Sequence, residues 1–378
     1  MYILIISRGY PTEKYKMNGI FEFDQAKALA KAGHKVIFAA IDLRSFRRSR
    51  HWGFESFQKD GVQIEAINIP CGNIPKPILN RMKVLAFKRL YKIIEQKYGK
   101  PIIIHAHFVS TGYVATQVFK DSKIPLVLTE HSSGINKKEI APYLKKMGDY
   151  TYPRIDKVIA VSNSLSANIK ESFNKESIVI PNIVDTNNFE FKMQKAKDGN
   201  FYFISAGSLI ERKGMDLLIK SFYNAFKGVE KVKLYIYGEG PERKHLEKMI
   251  RDYGLMNRVF LMGLANRKEI AEKMSESDCF VLASRLETFG VVYIEALSMG
   301  LPVIATKCGG PEEFITEKNG ILVNVDDSDQ LSKALYDVYI NANYYDRKNI
   351  SYLSRAKFGP QTISKELTRV YESLLNKG

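Results

Sequence analysis

Cysteine is scarce in this chain: three among 378 residues, at Cys71, Cys279 and Cys308. An odd and scattered set excludes a disulfide framework, and no close CxxC-type spacing offers a structural zinc site. Long apolar runs are missing too. No stretch reaches the roughly 18 apolar residues of a membrane-spanning helix. The apolar opening, 1–7, is too short for a secretory signal, meets Arg8 at once and has no small-residue cleavage pattern. The expected location is therefore cytoplasmic. Acidic residues are in short supply, with 41 Asp and Glu against 57 Lys and Arg, which leaves a formal charge of +16. Such an excess favours acidic partners, namely nucleic acid, anionic lipid or phosphorylated small molecules. No segment repeats at a period of about 20 to 50 residues, which excludes a solenoid.

What the chain does contain is 45% hydrophobic residues over a length fit for two or three domains. Short β-branched runs alternate with longer amphipathic ones. Strands are expected at 2–7, 35–40, 63–67, 101–105, 125–129, 157–161 and 177–180. A second series follows at 201–206, 233–237, 259–262, 278–283, 302–305 and 320–323. Helical patterns lie between most of them, which predicts an α/β fold with two parallel sheets in series. The polar segment 188–200 ends in Asp-Gly-Asn and reads as the boundary. Domains are thus expected over 1–187 and 200–355, with a closing helix after the Gly359-Pro360 break.

Positive charge is concentrated in two places. Residues 76–100 hold eight basic residues against the single acid Glu95, and Val84, Phe87, Leu90, Tyr91 and Ile94 recur at helical spacing among them. Arg44, Arg47, Arg48 and Arg50 cluster near His51 and Trp52. An apolar stripe beside a basic face suits an anionic membrane surface, and a solvated helix face is the plainer account. No zinc-finger spacing or RNA-binding aromatic signature accompanies the charge, so nucleic acid is not the expected partner.

Chemistry-bearing residues gather at the ends of the expected strands, where open α/β sheets bind ligands. Gly9 and then Asn18-Gly19 follow the first strand, and a glycine opening a helix lets backbone N–H groups approach an anion. His105 and His107 alternate onto one strand face, and Glu130 and His131 close the 125–129 strand. Three histidines and a glutamate raise zinc as a rival, but their spacing fits no standard site. In the second half, Gly207-Ser208 leads to Lys213-Gly214 at a helix start. Tyr237, Gly238 and Gly240 form a glycine turn, permissive for a ligand or purely conformational. The run Ser284-Arg285-Leu286-Glu287-Thr288-Phe289-Gly290 enters a helix through Val291 and Val292, and Glu295 sits in the apolar run VVYIEALSM. A charge there requires a partner or a polar ligand. A last glycine loop, Cys308 to Glu313, ends in two acids suited to a helix's first turn.

In order and spacing, these segments resemble the retaining GT-B glycosyltransferases of family four, over essentially the whole chain. Glu287 and Glu295 match that family's paired glutamates, Lys213-Gly214 its basic motif and Gly19 its first-loop glycine. The resemblance implies two Rossmann-like domains facing each other across a cleft, with a nucleotide-sugar between them and a final helix returning to the first domain. It implies that Glu295 binds ribose hydroxyls, Glu287 contacts the donor sugar, and Tyr237 to Gly240 line the base pocket. Lys213 would neutralise the diphosphate, helped by Gly19 and the backbone at Phe289, Gly290, Val291 and Val292. His107 would lie by the sugar, with His131 and Glu130 near it or the acceptor. Where the family usually carries a second cation, an arginine, this chain has Ser208. The implied activity is hexosyl transfer from a UDP-sugar or related donor, without a metal or other cofactor. The implied acceptor is a lipid-linked saccharide of cell-surface polysaccharide, met at the inner membrane face. A non-catalytic scaffold subunit on the same fold is the alternative.

Overall fold

The computed structural model describes residues 1–47, 51–192 and 198–376. Arg48 and Arg50, and residues 193–197 of the expected boundary, lie outside them. Packing divides the chain into two compact units, Met1–Ile183 with Pro360–Gly378, and Val184–Gly359. The second unit takes up the chain at Val184, earlier than the expected start at 200. Phe189 is fully buried there, and its carbonyl accepts from Arg355. The charged segment 188–200 therefore begins inside the second unit's core.

The first unit runs β1 (Tyr2–Ser7), α1 (Ile20–Lys31), β2 (Lys35–Ser45), β3 (Gly53–Lys59), β4 (Val62–Cys71), α2 (Lys76–Tyr98), β5 (Ile103–His107), α3 (Phe108–Val118), β6 (Leu126–Glu130), α4 (Pro142–Thr151), β7 (Lys157–Ala160), α5 (Asn163–Phe173) and β8 (Ser177–Val179). Its sheet has the order β3-β4-β2-β1-β5-β6-β7-β8. All pairs are parallel except β3 with β4. The antiparallel β3–β4 hairpin turns at Asp60 and Gly61, both at positive φ. Its β3 half was not expected, because GFESFQK is too polar to read as a buried strand. It is an edge strand with one solvated face, which is where such a pattern belongs.

The second unit runs β9 (Phe201–Ala206), α6 (Met215–Ala225), β10 (Val232–Tyr237), α7 (Arg243–Asp252), β11 (Val259–Gly263), α8 (Arg267–Glu276), β12 (Cys279–Leu282), α9 (Val291–Ser298), β13 (Val303–Thr306), β14 (Gly320–Val323), α10 (Ser328–Ile340) and α11 (Arg347–Phe358). Its sheet is all parallel, in the order β11-β10-β9-β12-β13-β14. The last helix, α12 (Pro360–Leu375), belongs to the first unit. Ile363, Leu367 and Tyr371 of α12 join Phe23, Ala26 and Leu29 of α1 in one buried cluster.

Strand order reverses between β1 and β5 in the first sheet and between β9 and β12 in the second. At such a switch the crossovers diverge to opposite faces and leave a crevice at the strands' carboxyl ends. These two places hold the residues described next.

Two strand-end sites

In the second unit, the loops after β9 and β12 are bound to each other. The amide of Arg285 donates to the carbonyl of Arg212 at 2.8 Å. Gly214, at φ 62°, lies so close to the carbonyl of Ala283 that a Cβ would stand 1.9 Å from that oxygen. Only glycine satisfies both constraints. The contact brings Lys213 and Glu287 together, with Nζ 2.5 Å from Oε1. Ser284 Oγ donates to the same Glu287 oxygen at 2.8 Å. Both charged side chains are mostly shielded from water. A charge pair in such surroundings retains much of the Coulomb attraction that water would screen.

Glu287 continues into Gly290 (φ 88°) and α9, whose first backbone N–H groups, at Val291 and Val292, have no carbonyl partner within the helix. One face of this region thus offers an ammonium and a helix N-terminus, both suited to an anion. Glu295, one turn further along α9, is buried. Its partner is Arg267, Nε to Oε1 at 3.3 Å, and Arg267 also lies 3.8 Å from Asp185. Arg267 escaped sequence reading. It sits 28 residues before Glu295, and only the packing of α8 against its neighbours joins them. Its position just past the end of β11 was the available signal.

Several expected binding residues also do structural work. Phe289 is buried, with its ring against Phe314 and Phe358 at 5.2 and 5.9 Å between centroids. Its side chain is core. Gly238 and Gly240 press on neighbouring backbone: a Cβ would meet Gly207 O at 1.9 Å and Leu209 O at 2.1 Å, respectively. These glycines lock the loop after β10 onto the loop after β9. Tyr237 forms the last rung, its carbonyl accepting from Gly207 N. Ser208 is exposed beside them. Arg285 is committed to Asp216 at 2.8 Å and Asp326 at 2.7 Å. Glu312 accepts from the amide of Gly309 and caps its own loop.

In the first unit, the loop after β1 folds back so that Gly19, at φ 65°, opens α1 directly over Gly9. A Cβ on Gly19 would meet Gly9 O at 2.2 Å. After β5, the three histidines divide. His105 is structural: Nδ1 lies 2.7 Å from Tyr371 Oη on α12, and Nε2 lies 2.7 Å from Thr129 Oγ1. His107 Nδ1 lies 3.0 Å from His131 Nε2, and the two rings stack at 5.3 Å. His107 Nε2 is buried and has no hydrogen-bond partner among the described residues. Burial lowers the pKa of all three, to about 3 for His105 and His131. His107 is pushed well down, and the neighbouring His105, His131 and Arg8 add to the effect. These rings are neutral at pH 7.

Glu130 is held by the surrounding fold. Fully buried, it accepts from the amides of Val109, His131 and Ser132 and from Tyr152 Oη. It ties α3 to the loop after β6. Among the described residues, no group of three or more His, Cys, Asp or Glu stands where it could hold a metal ion. Two further features went unread in the sequence. Phe108 adopts φ 68°, rare for an aromatic residue, and Arg8 stacks over its ring at 3.2 Å.

Helix α2 corrects one expectation. Its stripe of Ala86, Phe87, Leu90 and Ile94 is buried against this unit's own sheet and α3, so that face is not available to a membrane. The opposite face exposes Ile78 and Leu85 among Arg81, Lys88, Arg89 and Lys92. Among the described residues, no helix is long and apolar enough to cross a membrane.

Comparison with known proteins matches both halves of the chain. The family model described as "Glycosyl transferases group 1" covers residues 186–355, and "Glycosyltransferase Family 4" covers 23–188. The N-acetyl-alpha-D-glucosaminyl L-malate synthase of Bacillus anthracis is 26% identical over 94% of this chain and 93% of its own length. The phosphatidylinositol N-acetylglucosaminyltransferase GPI3 subunit of Saccharomyces cerevisiae is 27% identical over 56% of this chain. That match spans only 50% of the yeast protein. Among solved structures, Anabaena Alr3699/HepE in complex with UDP superposes with a TM-score of 0.75 at 19% identity, covering 99% of this chain and 100% of that one.

Proposed function

The chain belongs to the group 1, family 4 glycosyltransferases, with the GT-B fold, and from that premise we propose that it moves a hexosyl group from a nucleoside diphosphate sugar to an acceptor hydroxyl with retention at the anomeric carbon. The observation that carries this reading is the Lys213–Glu287 pair at the switch point of the second sheet, beside the open N-terminus of α9. In the proposed step, the bond from the anomeric carbon to the diphosphate breaks and its electron pair leaves with the diphosphate. The acceptor oxygen bonds to the same face of the sugar, and its proton passes to the departing phosphate oxygen. Charge therefore grows on the diphosphate. Lys213 and the amides of Val291 and Val292 meet it, as preorganised donors do at a developing anion. This reading calls on no metal.

Glu287 then contacts the donor sugar, and Glu295, oriented by Arg267, takes the ribose hydroxyls. HepE, solved with UDP, supports a uridine nucleotide. Two relatives are named for N-acetylglucosaminyl transfer, so UDP-N-acetylglucosamine heads the panel to be tested. Saturation-transfer NMR with UDP-, GDP- and ADP-sugars, each followed for nucleotide release, should show one UDP-sugar bound and slowly hydrolysed. Failure of every nucleotide sugar to bind would end this reading.

The acceptor in this proposal is a lipid-linked saccharide in cell-surface polysaccharide synthesis, approached from the inner membrane face. Its support is the exposed basic face of α2. Each basic residue close to anionic lipid contributes about 1 kcal/mol. Changing Arg81, Lys88, Arg89 and Lys92 to glutamine should therefore weaken flotation with phosphatidylglycerol vesicles by at least about a hundredfold. Equal flotation of both proteins would refute membrane docking through α2.

A further inference from the structure

The Glu287 side chain lies between two features that attract an anion. On one side Lys213 Nζ stands 2.5 Å from its Oε1. On the other, a Cβ built on Gly290, at the entry to α9, would stand 3.8 Å from Glu287 Cγ. Side-chain exposure is 15% for Lys213 and 9% for Glu287. Ser284 Oγ holds the carboxylate by donating to Oε1 at 2.8 Å, and the Glu287 amide donates to the carbonyl of Cys308 at 3.2 Å. Arg285, from the same loop, is engaged by Asp216 and Asp326, and Ser208 brings no cation. A fixed carboxylate is therefore built into the place where an ammonium and a helix N-terminus draw a phosphate.

A site that only had to hold an anion would do better without it. Like charges a few ångström apart in a shielded setting repel more strongly than in water. What Lys213 offers a phosphate, Glu287 partly takes back. The carboxylate suits a different group. It accepts hydrogen bonds and donates none, and sugar hydroxyls are donors. These two properties tell a nucleotide sugar from the nucleotide it leaves. The intact donor brings hydroxyls, and its terminal phosphate is esterified. After transfer the hydroxyls have gone with the sugar, and the electron pair of the broken bond stays on the terminal phosphate oxygen. The proton received from the acceptor is lost to water at neutral pH, because a terminal phosphate ionises a second time at about pH 6. The product thus carries one more negative charge, on the group that had faced the sugar.

We infer that Glu287 makes the site select donor over product: it holds the sugar by its hydroxyls and repels the nucleoside diphosphate left behind, which hastens release. The inference rests on the proposed reading, in which Lys213 faces the diphosphate. It gives Glu287 a second task in that reaction besides contact with the sugar.

Calorimetric titration of the full chain with UDP, UDP methyl ester and UDP-N-acetylglucosamine tests it. The methyl ester has the donor's charge and no sugar hydroxyls. Glu287→Gln keeps the side chain's shape and an oxygen for Ser284. In this variant UDP should bind about tenfold more tightly than in the parent, the scale of one like-charge contact in a shielded setting. The methyl ester should gain less. UDP-N-acetylglucosamine should gain nothing, since its hydroxyls lose a charged acceptor, and the preference for donor over UDP should shift toward UDP. A side chain that served only the fold would move all three ligands together. UDP affinity within twofold of the parent, or an equal gain by all three ligands, would overturn the inference. If Glu287→Gln does not fold, Lys213→Met is compared with Lys213→Met, Glu287→Gln. UDP should then bind the double variant about tenfold more tightly than the single one, and equal affinities would overturn the inference. If the NMR panel selects GDP or ADP, the same three ligands of that base take their place. Donor binding by the parent with a nucleoside diphosphate affinity unmoved by Glu287→Gln sinks this inference alone. A parent that binds no nucleotide sugar ends the transferase reading and this inference with it.

Discussion

Replacing Lys213 by methionine should lower kcat for transfer by about a hundred- to a thousandfold, the usual cost of removing one preorganised donor from a developing anion. KM for the donor should move far less, because the ammonium counts most once charge has built on the leaving group. The same change strands Glu287, which keeps Ser284 but loses its cation in a buried setting. Breaking one side of a buried pair costs about 3 kcal/mol or more. Lys213→Met is thus expected to lose stability as well as turnover, and the two losses separate in the double variant Lys213→Met, Glu287→Gln. That protein should regain much of its stability and none of its activity. Steady-state kinetics with the donor found by NMR, together with urea denaturation, tests both. Turnover within fivefold of the parent in the single variant would remove Lys213 from the mechanism.

Acidification should destabilise the first unit steeply between pH 7 and pH 5. His105 and His131 resist protonation down to about pH 3 because burial penalises the charged ring, with Arg8 adding to the effect at His131. Unfolded, the same rings take protons near pH 6.5. In that window the unfolded chain binds more protons, so stability rises with pH and is fully present only above about pH 6.5. Each ring loses about 1.4 kcal/mol per pH unit below that, which for two rings is about 4 kcal/mol at pH 5. His107, also depressed, adds to the loss. Glu22 and Glu130 act in the opposite sense, since burial raises their pKa and acid favours their folded form. They offset part of that loss. The chain's single tryptophan, Trp52, lies in the first unit, so its fluorescence reports that unit's unfolding. Urea midpoints that stay level from pH 7 to pH 5 would contradict the burial of these rings.

Much of the architecture was legible because parallel strands buried on both faces are written as short β-branched runs. Phe201–Ala206 and Gly320–Val323 stand where those runs do. Helix α1 was visible from the glycine that starts it. The polar hairpin strand β3 was not, since edge strands lack that signature. In the candidate site, the pairing of Lys213 with Glu287 follows from sheet topology, as both loops flank one switch point, and the motif residues alone marked the place. Arg267 was invisible as a partner for a different reason. It owes its role to which neighbour lies across from it, and a one-dimensional pattern carries no such information. The histidines divide in a way their shared strand face did not reveal: His105 serves the fold, and His107 keeps one ring nitrogen without a partner among the described residues.

Helix α12 has a bearing on biosynthesis. The first unit's core includes Ile363, Leu367, Val370 and Tyr371, and Tyr371 bonds to His105 at the centre of the sheet. A nascent chain that has emerged only as far as Ile183 lacks all four, so its sheet waits with one side uncovered and a buried imidazole lacking one partner. The later unit, Val184–Gly359, is contiguous and can finish folding on the ribosome first. Order of synthesis and order of completion are therefore inverted in this protein. During that interval the exposed flank of α1 is the surface that a chaperone would have to guard.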